Sequence, residues 1–350
     1  MSERIKAIYR ANAEIKYMFI SGLAEVSCVA VTGQSIGDVQ AVCAANVGFG
    51  MGKSGCAVVQ DQADIIILDD NFVSIFNAVR WGRNVFDNCR KFIQFQMTVN
   101  LSCLWIVIIG ASSLGLSPFG ILQLLWINLV MDVLAAIALA SEAPHPTELR
   151  KERVNLKKDP LISQIMWRSI LAQVVYQILA MTVLLYAAPA MFGIQYNLVE
   201  TPLYTNKTDG PTYRLQHYTF LFQAFMMMNL FNLINCRVLG SENDPEYNIF
   251  KNIYHNWWFL VVLLIEFNVQ FLLVQGYLGL GVIFTTTPMN GAMHFTALGL
   301  GFGSLLVAAA AKATPFKWTA SMPVIKEVQD ENSFTKKLEN NLSKNFKTYE

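Results

Sequence analysis

Charged residues are scarce in this sequence. They make up 15% of its 350 positions, whereas roughly 25% of the residues of a soluble domain are charged. The formal net charge is +1, which does not suggest the concentrated basic face that nucleic acid requires. Residues 1–91 and 318–350 have ordinary soluble composition, and the scarcity lies between them. One large globular domain is therefore excluded.

The sequence also shows neither paired-cysteine spacing nor, in its first 17 residues, a signal-peptide pattern. The cysteines show no CxxC spacing, so we expect free thiols rather than a disulfide framework or a zinc site. Residues 1–17 are charged and have no apolar core of the kind found in signal peptides, so we expect the membrane spans to direct insertion. The six cysteines are Cys28, Cys43, Cys56, Cys89, Cys103 and Cys236.

Long apolar runs are abundant instead. Crossing a bilayer core of about 30 Å takes about 20 mainly apolar helical residues. We predict spans near 92–114, 121–141, 167–189, 216–236, 257–277 and 293–313.

The segment before the spans predicts a different structure. Residues 27–33 and 65–69 are typical of buried strands, with a short helix at 38–45 between them. This is part of a Rossmann-like α/β unit, which should leave an apolar strand edge exposed. A stalk helix should run from about residue 72 into the first span. The fold class is therefore mainly α and integral to the membrane, with a partial α/β fragment in front.

The distribution of Lys and Arg predicts the orientation in the membrane. Basic residues crowd the connector between the second and third spans, from Arg150 to Lys158, whereas loops 114–120 and 278–292 have none. Both termini are then cytosolic, and Asn206 of an Asn-Lys-Thr sequon is a candidate glycosylation acceptor on the opposite side.

Ionisable groups within a span are functional hypotheses by default, because they are costly in lipid. Asn128 and Asp132 are four residues apart, which in an α-helix puts them on one face, about 6 Å apart along the axis. Carboxylate and amide oxygens suit a hard cation such as calcium. Asn100 in the preceding span offers another amide oxygen, although Asn100 taken alone favours interhelical hydrogen bonding, which is common for Asn in membranes. Glu266 has three open interpretations: pairing with a polar neighbour such as Asn229, protonation, or transport.

Several motifs identify a family. FIQFQMTVN (Phe92 to Asn100), LLWINLVMD (Leu124 to Asp132), ALASEAP (Ala138 to Pro144) and MMNLFNLIN (Met227 to Asn235) resemble helices of plasma-membrane-type calcium ATPases, which are P-type pumps. Upstream, NVGFGMG (Asn46 to Gly52) and ADIIILDDNFVSI (Ala63 to Ile75) resemble the end of that family's phosphorylation domain. The likeness covers about residues 5–315.

The resemblance implies both site residues and a domain division. The family's calcium ligands on these helices match Asn100, Asn128 and Asp132, and Asn229 stands where the family usually has Gln. The division is a partial phosphorylation (HAD-like) domain at 1–71, a stalk helix at 72–91, a six-helix membrane domain at 92–315 and a cytosolic tail at 316–350. The membrane is either the plasma membrane or an intracellular one.

The part that uses ATP departs from the family pattern. No DKTGT string, which carries the phosphorylated Asp of the family, occurs in the sequence. The acid that resembles a magnesium ligand is replaced by Gln34, which offers no anionic oxygen to Mg²⁺. Lys16 and Asp38 remain as remnants that match family positions. We therefore expect no phosphoryl transfer by this chain alone.

Two functions are compatible with this combination. The chain is either the membrane half of a calcium pump, working with a chain that carries the missing half, or a non-catalytic subunit or scaffold (a pseudoenzyme) in a larger membrane complex. The basic tail also suggests a contact with calmodulin, as family members often have, or with an anionic membrane surface. Its apolar positions recur every four residues, at Phe334, Leu338, Leu342 and Phe346.

Overall fold

The computed structural model describes residues 7–115, 117–144, 161–193, 212–238 and 256–313. These residues divide into two compact units. One holds the residues up to Arg83, and the other holds Asn84–Pro144 and the described residues from Ile162 onward. Each unit has its own hydrophobic core.

The first unit contains a small parallel sheet. Its strands are β1 (Ala30–Gly33), β2 (Val47–Met51) and β3 (Ile65–Ile67), in the order β1-β2-β3. Three helices accompany them, namely α1 (Ala13–Val26), α2 (Val39–Ala44) and α3 (Ala57–Gln62). Helical crossovers between neighbouring parallel strands are typical of α/β units. The predicted strands and the helix between them are confirmed, with narrower bounds.

The middle strand, β2, was not predicted from the sequence, because this strand contains two glycines. β2 reads VGFGM, and glycine is depleted in strands. Here the glycine is needed, because a Cβ on Gly48 would lie 2.5 Å from Val42 Cγ1 on α2. Phe49 between the two glycines is buried with Ile67 and Ile75 in the core of this unit. At the edge of the sheet, Ile65 and Ile66 are exposed, as the sequence predicted.

One uninterrupted helix, α4, runs over 43 residues from Phe72 to Leu114. It confirms the predicted stalk helix that continues into the first span. The second span begins with α5 (Ile121–Leu125), continues through a π-helical turn (Trp126–Met131) and ends with α6 (Asp132–Ala140).

The remaining spans are four helices of 18 to 28 residues. They are α7 (Gln164–Met191), α8 (Thr212–Cys236), α9 (Trp257–Val274) and α11 (Gly291–Ala313), with the short α10 (Leu280–Phe284) before the last one. In total, six helices among the described residues are long and apolar enough to cross a membrane. The prediction of six spans is confirmed.

The helix α8 occupies the centre of the membrane unit. Within its apolar window 94% of the residues are buried, against 33% to 39% for the other spans. It packs against α7, α9 and α11, and its phenylalanines Phe220, Phe222 and Phe225 are fully buried. The outer helices therefore present most of their apolar surface to lipid.

An ionic cluster joins three chain segments at one end of this unit. Lys91 Nζ lies 2.7 Å from Glu142 Oε2, and Arg237 Nε lies 3.6 Å from Glu142 Oε1. The side-chain amide of Asn84 donates to the backbone carbonyl of Glu142 at 2.7 Å. Arg237 also lies over the ring of Phe259. The interior of α4 is thereby joined to the segments that directly follow α6 and α8.

Candidate functional site

The intramembrane acid predicted from the sequence follows directly on the π-helical turn. Trp126–Met131 is π-helical, and Asp132 is the first residue of α6. Turns of this kind insert an extra residue into a helix and occur frequently at functional sites. The α-helical spacing that we expected for Asn128 and Asp132 is therefore wrong for this segment. Asn128 is exposed, whereas Asp132 is buried.

The carboxyl group of Asp132 is held on one side only. Gln96 Nε2 on α4 donates a hydrogen bond to Asp132 Oδ2 at 2.8 Å. Asp132 Oδ1 is buried and has no hydrogen-bond partner among the described residues, and the same holds for Gln96 Oε1. Neither Asp132 nor its amide partner takes part in an ion pair within the described ranges. Two oxygens, one of them carboxylate, are thus left free for a ligand.

Glu266 on α9 is the second buried acid of the membrane unit. Its exposed fraction is 4%, and both carboxyl oxygens lack hydrogen-bond partners in the described part of the chain. It lies within electrostatic reach of Asp132, and α6 packs against α9. One turn further on, Gln270 accepts from Trp126 Nε1 at 3.2 Å and donates to Gln223 at 3.0 Å.

The predicted amide ligands are not brought to Asp132. Asn100 on α4 and Asn128 are both exposed, and no hydrogen bond joins either side chain to Asp132 within the described ranges. Ser102, half a turn after Asn100, is fully buried, and its Oγ has no partner among the described residues. The sequence singled out Asp132 but not Gln96, its hydrogen-bond partner, although Gln96 lies within the motif FIQFQMTVN.

Asn229 on α8 is hydrogen-bonded to Gln177 and not to Glu266, the partner that the sequence suggested. Its Oδ1 accepts a hydrogen bond from Gln177 Nε2 on α7 at 3.0 Å, so the hydrogen bond found for it does not go to Glu266. Nearby, Gln173 Nε2 donates to the backbone carbonyl of Ser304 at 2.8 Å, and Asn235 donates to the same carbonyl at 3.2 Å. Buried amides thus cross-link α7, α8 and α11.

The remnants in the α/β unit bind each other. Lys16 Nζ lies 2.7 Å from Asp38 Oδ1, and Asp38 Oδ2 accepts from the backbone amides of Gln34 and Ser35. Partial burial opposes ionisation of Asp38, but the hydrogen bonds from Lys16, Ser35 and Gln34 outweigh it and lower the pKa of Asp38 below its usual range. The side chain of Gln34 is exposed. The carboxylate and the lysine are therefore already engaged with each other.

Two sequence predictions lie outside the described residues. They are the sequon at Asn206 and the amphipathic tail with Phe334, Leu338, Leu342 and Phe346. The cysteines, by contrast, are all described, and all six are free thiols.

Comparison with known proteins gives consistent matches. Residues 116–314 match the family model described as the C-terminus of cation-transporting ATPases. The chain is 38% identical to the plasma membrane calcium-transporting ATPase mca-1 of Caenorhabditis elegans over 309 aligned residues. These residues make up 87% of this chain and 23% of that protein. It is 36% identical to the human plasma membrane calcium-transporting ATPase 4 over 330 aligned residues. This alignment includes 93% of this chain and 25% of that protein.

A plant protein gives a similar match. The plasma membrane-type calcium-transporting ATPase 8 of Arabidopsis thaliana is 35% identical over 316 residues, which cover 90% of this chain and 28% of that protein. The chain thus spans about a quarter of the length of the curated relatives it matches.

Proposed function

The chain belongs to the family of cation-transporting ATPases, and we propose that it supplies part of the transmembrane path through which a pump of this family moves Ca²⁺. It corresponds to the C-terminal membrane part of the plasma membrane calcium-transporting ATPases. The cation is proposed because the relatives are named as calcium-transporting. The relatives are about four times as long as the part that this chain matches. Participation of this chain in a complete transport cycle is therefore part of the proposal.

The observation that supports the proposal most strongly is the environment of Asp132. Its Oδ1 is buried in an apolar helix bundle and has no hydrogen-bond partner among the described residues. A charged carboxylate at this depth is costly unless a cation or a proton compensates it. The hydrogen bond from Gln96 fixes Oδ2 and leaves Oδ1 available. This is the arrangement expected of a carboxylate that receives a metal ion.

Further ligands are needed, because Ca²⁺ takes six to eight oxygens. We propose that Asn100 and Asn128 contribute amide oxygens when the exposed surface on which they lie is covered in the working pump. Both side chains are exposed and have no hydrogen bond that would hold them elsewhere within the described residues. Asn128 lies within the π-helical turn, and Asp132 directly follows it.

Hydrolysis of ATP is not assigned to this chain. Gln34 offers no anionic oxygen for Mg²⁺, and Lys16 is paired with Asp38. We propose that the residues that bind ATP and carry the phosphoryl group lie outside this sequence, and that residues 1–71 are a partial phosphorylation domain connected by a stalk helix at 72–91 to the membrane domain at 92–315. We also propose that both termini are cytosolic, and the basic connector between the second and third spans supports this orientation.

A non-catalytic subunit is the second candidate function. It is favoured by Gln34 in place of the acid and by the exposed apolar residues Ile65, Ile66 and Leu68 next to the sheet. Such an exposed strand edge normally requires a covering partner. This candidate predicts stable assembly with another membrane protein without cation binding.

Equilibrium binding of ⁴⁵Ca²⁺ to the full chain in lipid nanodiscs separates the two candidates. The pump interpretation predicts saturable binding that is abolished in Asp132→Asn and weakened in Asn128→Ala. Leu129→Ala is the matched control, because Leu129 lies in the same turn and its side chain is 55% exposed. Binding that persists unchanged in Asp132→Asn would exclude the proposed site.

A further inference from the structure

The buried acid on α9 has no structural role that its contacts explain. Glu266 is 4% exposed, yet neither carboxyl oxygen accepts or donates a hydrogen bond among the described residues. Structural acids inside proteins are normally paired with a cation or with hydrogen-bond donors, because desolvation is otherwise uncompensated. The neighbouring amide Gln270 is satisfied by Trp126 and Gln223. The hydrogen bonds of Gln270 therefore do not involve Glu266.

A second acid on the neighbouring helix makes the isolation of Glu266 more costly. Its electrostatic neighbour is Asp132, a second acid, across the contact between α6 and α9. Two carboxylates without an intervening positive charge repel each other. Among the described residues, the buried lysine and arginine of this unit, Lys91 and Arg237, lie beside Glu142 at one end of the bundle.

Four oxygen atoms without partners belong to these neighbouring side chains. They are Oδ1 of Asp132, Oε1 of Gln96 and both carboxyl oxygens of Glu266. Protonation of one carboxyl group would remove one negative charge, but the other carboxylate would remain buried without a compensating positive charge. A divalent cation compensates both charges and uses the oxygens as ligands.

We propose that Glu266 is a second acidic ligand of the membrane cation site, which it shares with Asp132 between α6 and α9. The proposal deepens the proposed function and rests on it, since it names a further ligand of the same ion. The two carboxylates together neutralise one divalent cation. α9 then takes part in ion binding directly instead of serving only as a supporting helix.

The test compares variants of the full chain in nanodiscs by ⁴⁵Ca²⁺ binding. Glu266→Gln is expected to weaken binding at least about tenfold, because even the loss of residues that only orient metal ligands costs about 10- to 100-fold in affinity. Glu266→Asp keeps a carboxylate and should retain part of the affinity. Asn268→Ala is the matched control, because Asn268 is exposed on the same helix and donates only to the carbonyl of Leu264.

Thermal unfolding distinguishes a ligand from a packing residue. Without calcium, Glu266→Gln should melt at a higher temperature than the wild type, because the repulsion between two buried acids is removed. On addition of the same high calcium concentration, its increase in melting temperature should be smaller than that of the wild type, because stabilisation by a ligand grows with the logarithm of its concentration divided by Kd. A merely structural glutamate predicts a lower melting temperature in both conditions.

The outcomes separate this inference from the proposed function. If Asp132→Asn abolishes binding and Glu266→Gln binds as the wild type does, Glu266 is not a ligand and the proposed function stands. If Asp132→Asn leaves binding intact, the proposed function itself fails. Loss of binding in both variants, with retention in Asn268→Ala, supports the shared site.

Discussion

Gln96 on α4 donates a hydrogen bond from Nε2 to Oδ2 of Asp132, and the two atoms are 2.8 Å apart. This contact joins the first two membrane spans at the depth of the buried acid. It orients the carboxyl group, so that Oδ1 is the oxygen left without a partner in the described part of the chain. The first prediction follows from this relationship.

Replacing Gln96 by Leu should weaken calcium binding about 10- to 100-fold, because a residue that orients a metal ligand typically contributes that much. The affinity is measured by ⁴⁵Ca²⁺ binding in nanodiscs. Gln94→Leu is the control, since Gln94 is a buried amide on the same helix whose Nε2 contacts Cys236 Sγ instead. Equal losses of affinity in the two variants would show that Gln96 does not act through Asp132.

The contact between α8 and α11 depends on a small residue. A Cβ on Gly301 would lie 2.5 Å from the ring of Phe231, whereas Gly299 has open space around it. Gly301→Ala should therefore destabilise the membrane unit by about 1–3 kcal/mol. Gly299→Ala should be neutral or stabilising by up to about 1 kcal/mol, because Ala favours helix. Denaturant unfolding in mixed micelles measures both, and equal effects would contradict this packing.

The ionic cluster at the end of the bundle makes a third prediction. Glu142→Gln removes the anion that pairs with Lys91 and lies 3.6 Å from Arg237. Breaking a buried pair costs about 3–5 kcal/mol. Because the Glu142 side chain keeps 22% exposure, we expect about 1–3 kcal/mol, the lower range reflecting solvent screening. Unfolding in mixed micelles measures the loss.

The double variant Lys91→Met/Glu142→Gln is the control for that prediction. It removes one buried cation together with the anion, so it should recover part of the stability that Glu142→Gln alone loses. An additive or greater loss in the double variant would mean that the pair does not interact as its 2.7 Å separation indicates.

The pair of Lys16 and Asp38 predicts a pH dependence in the α/β unit. Because hydrogen bonds lower the pKa of Asp38 in the folded chain, its ionised form stabilises the fold at any pH above the ordinary Asp value of about 3.9. That contribution is lost only as the pH falls further, through the lowered pKa. Carbon-13 NMR of the Asp38 carboxyl should show this delayed titration. Lys16→Met should raise the pKa towards its ordinary value, and an unchanged titration would contradict the pairing.

The six spans and the long stalk helix were predictable because they depend on local composition. An apolar window of about 20 residues is sufficient to identify a span, and α4 contains no proline that would interrupt it. The strand β2 could not be predicted from its sequence pattern, because glycine flanks Phe49 on both sides. Its need for Gly48 arises from contact with α2, which is tertiary information.

The candidate site was predictable only in part. Asp132 could be identified from the sequence because it is a single acid within an apolar run. The π-helical turn before it could not be predicted, because WINLVM contains only ordinary helix-compatible residues. The nearness of Glu266 to Asp132 depends on how α6 packs against α9, and these positions are 134 residues apart.

Calcium-induced infrared difference spectroscopy of the full chain in nanodiscs tests most directly whether the Asp132 carboxylate holds the cation. The account predicts that adding calcium shifts carboxylate stretching bands in the wild type, and that Asp132→Asn removes this shift. A wild-type spectrum with no carboxylate change on calcium addition, or an identical difference spectrum in Asp132→Asn, would contradict it.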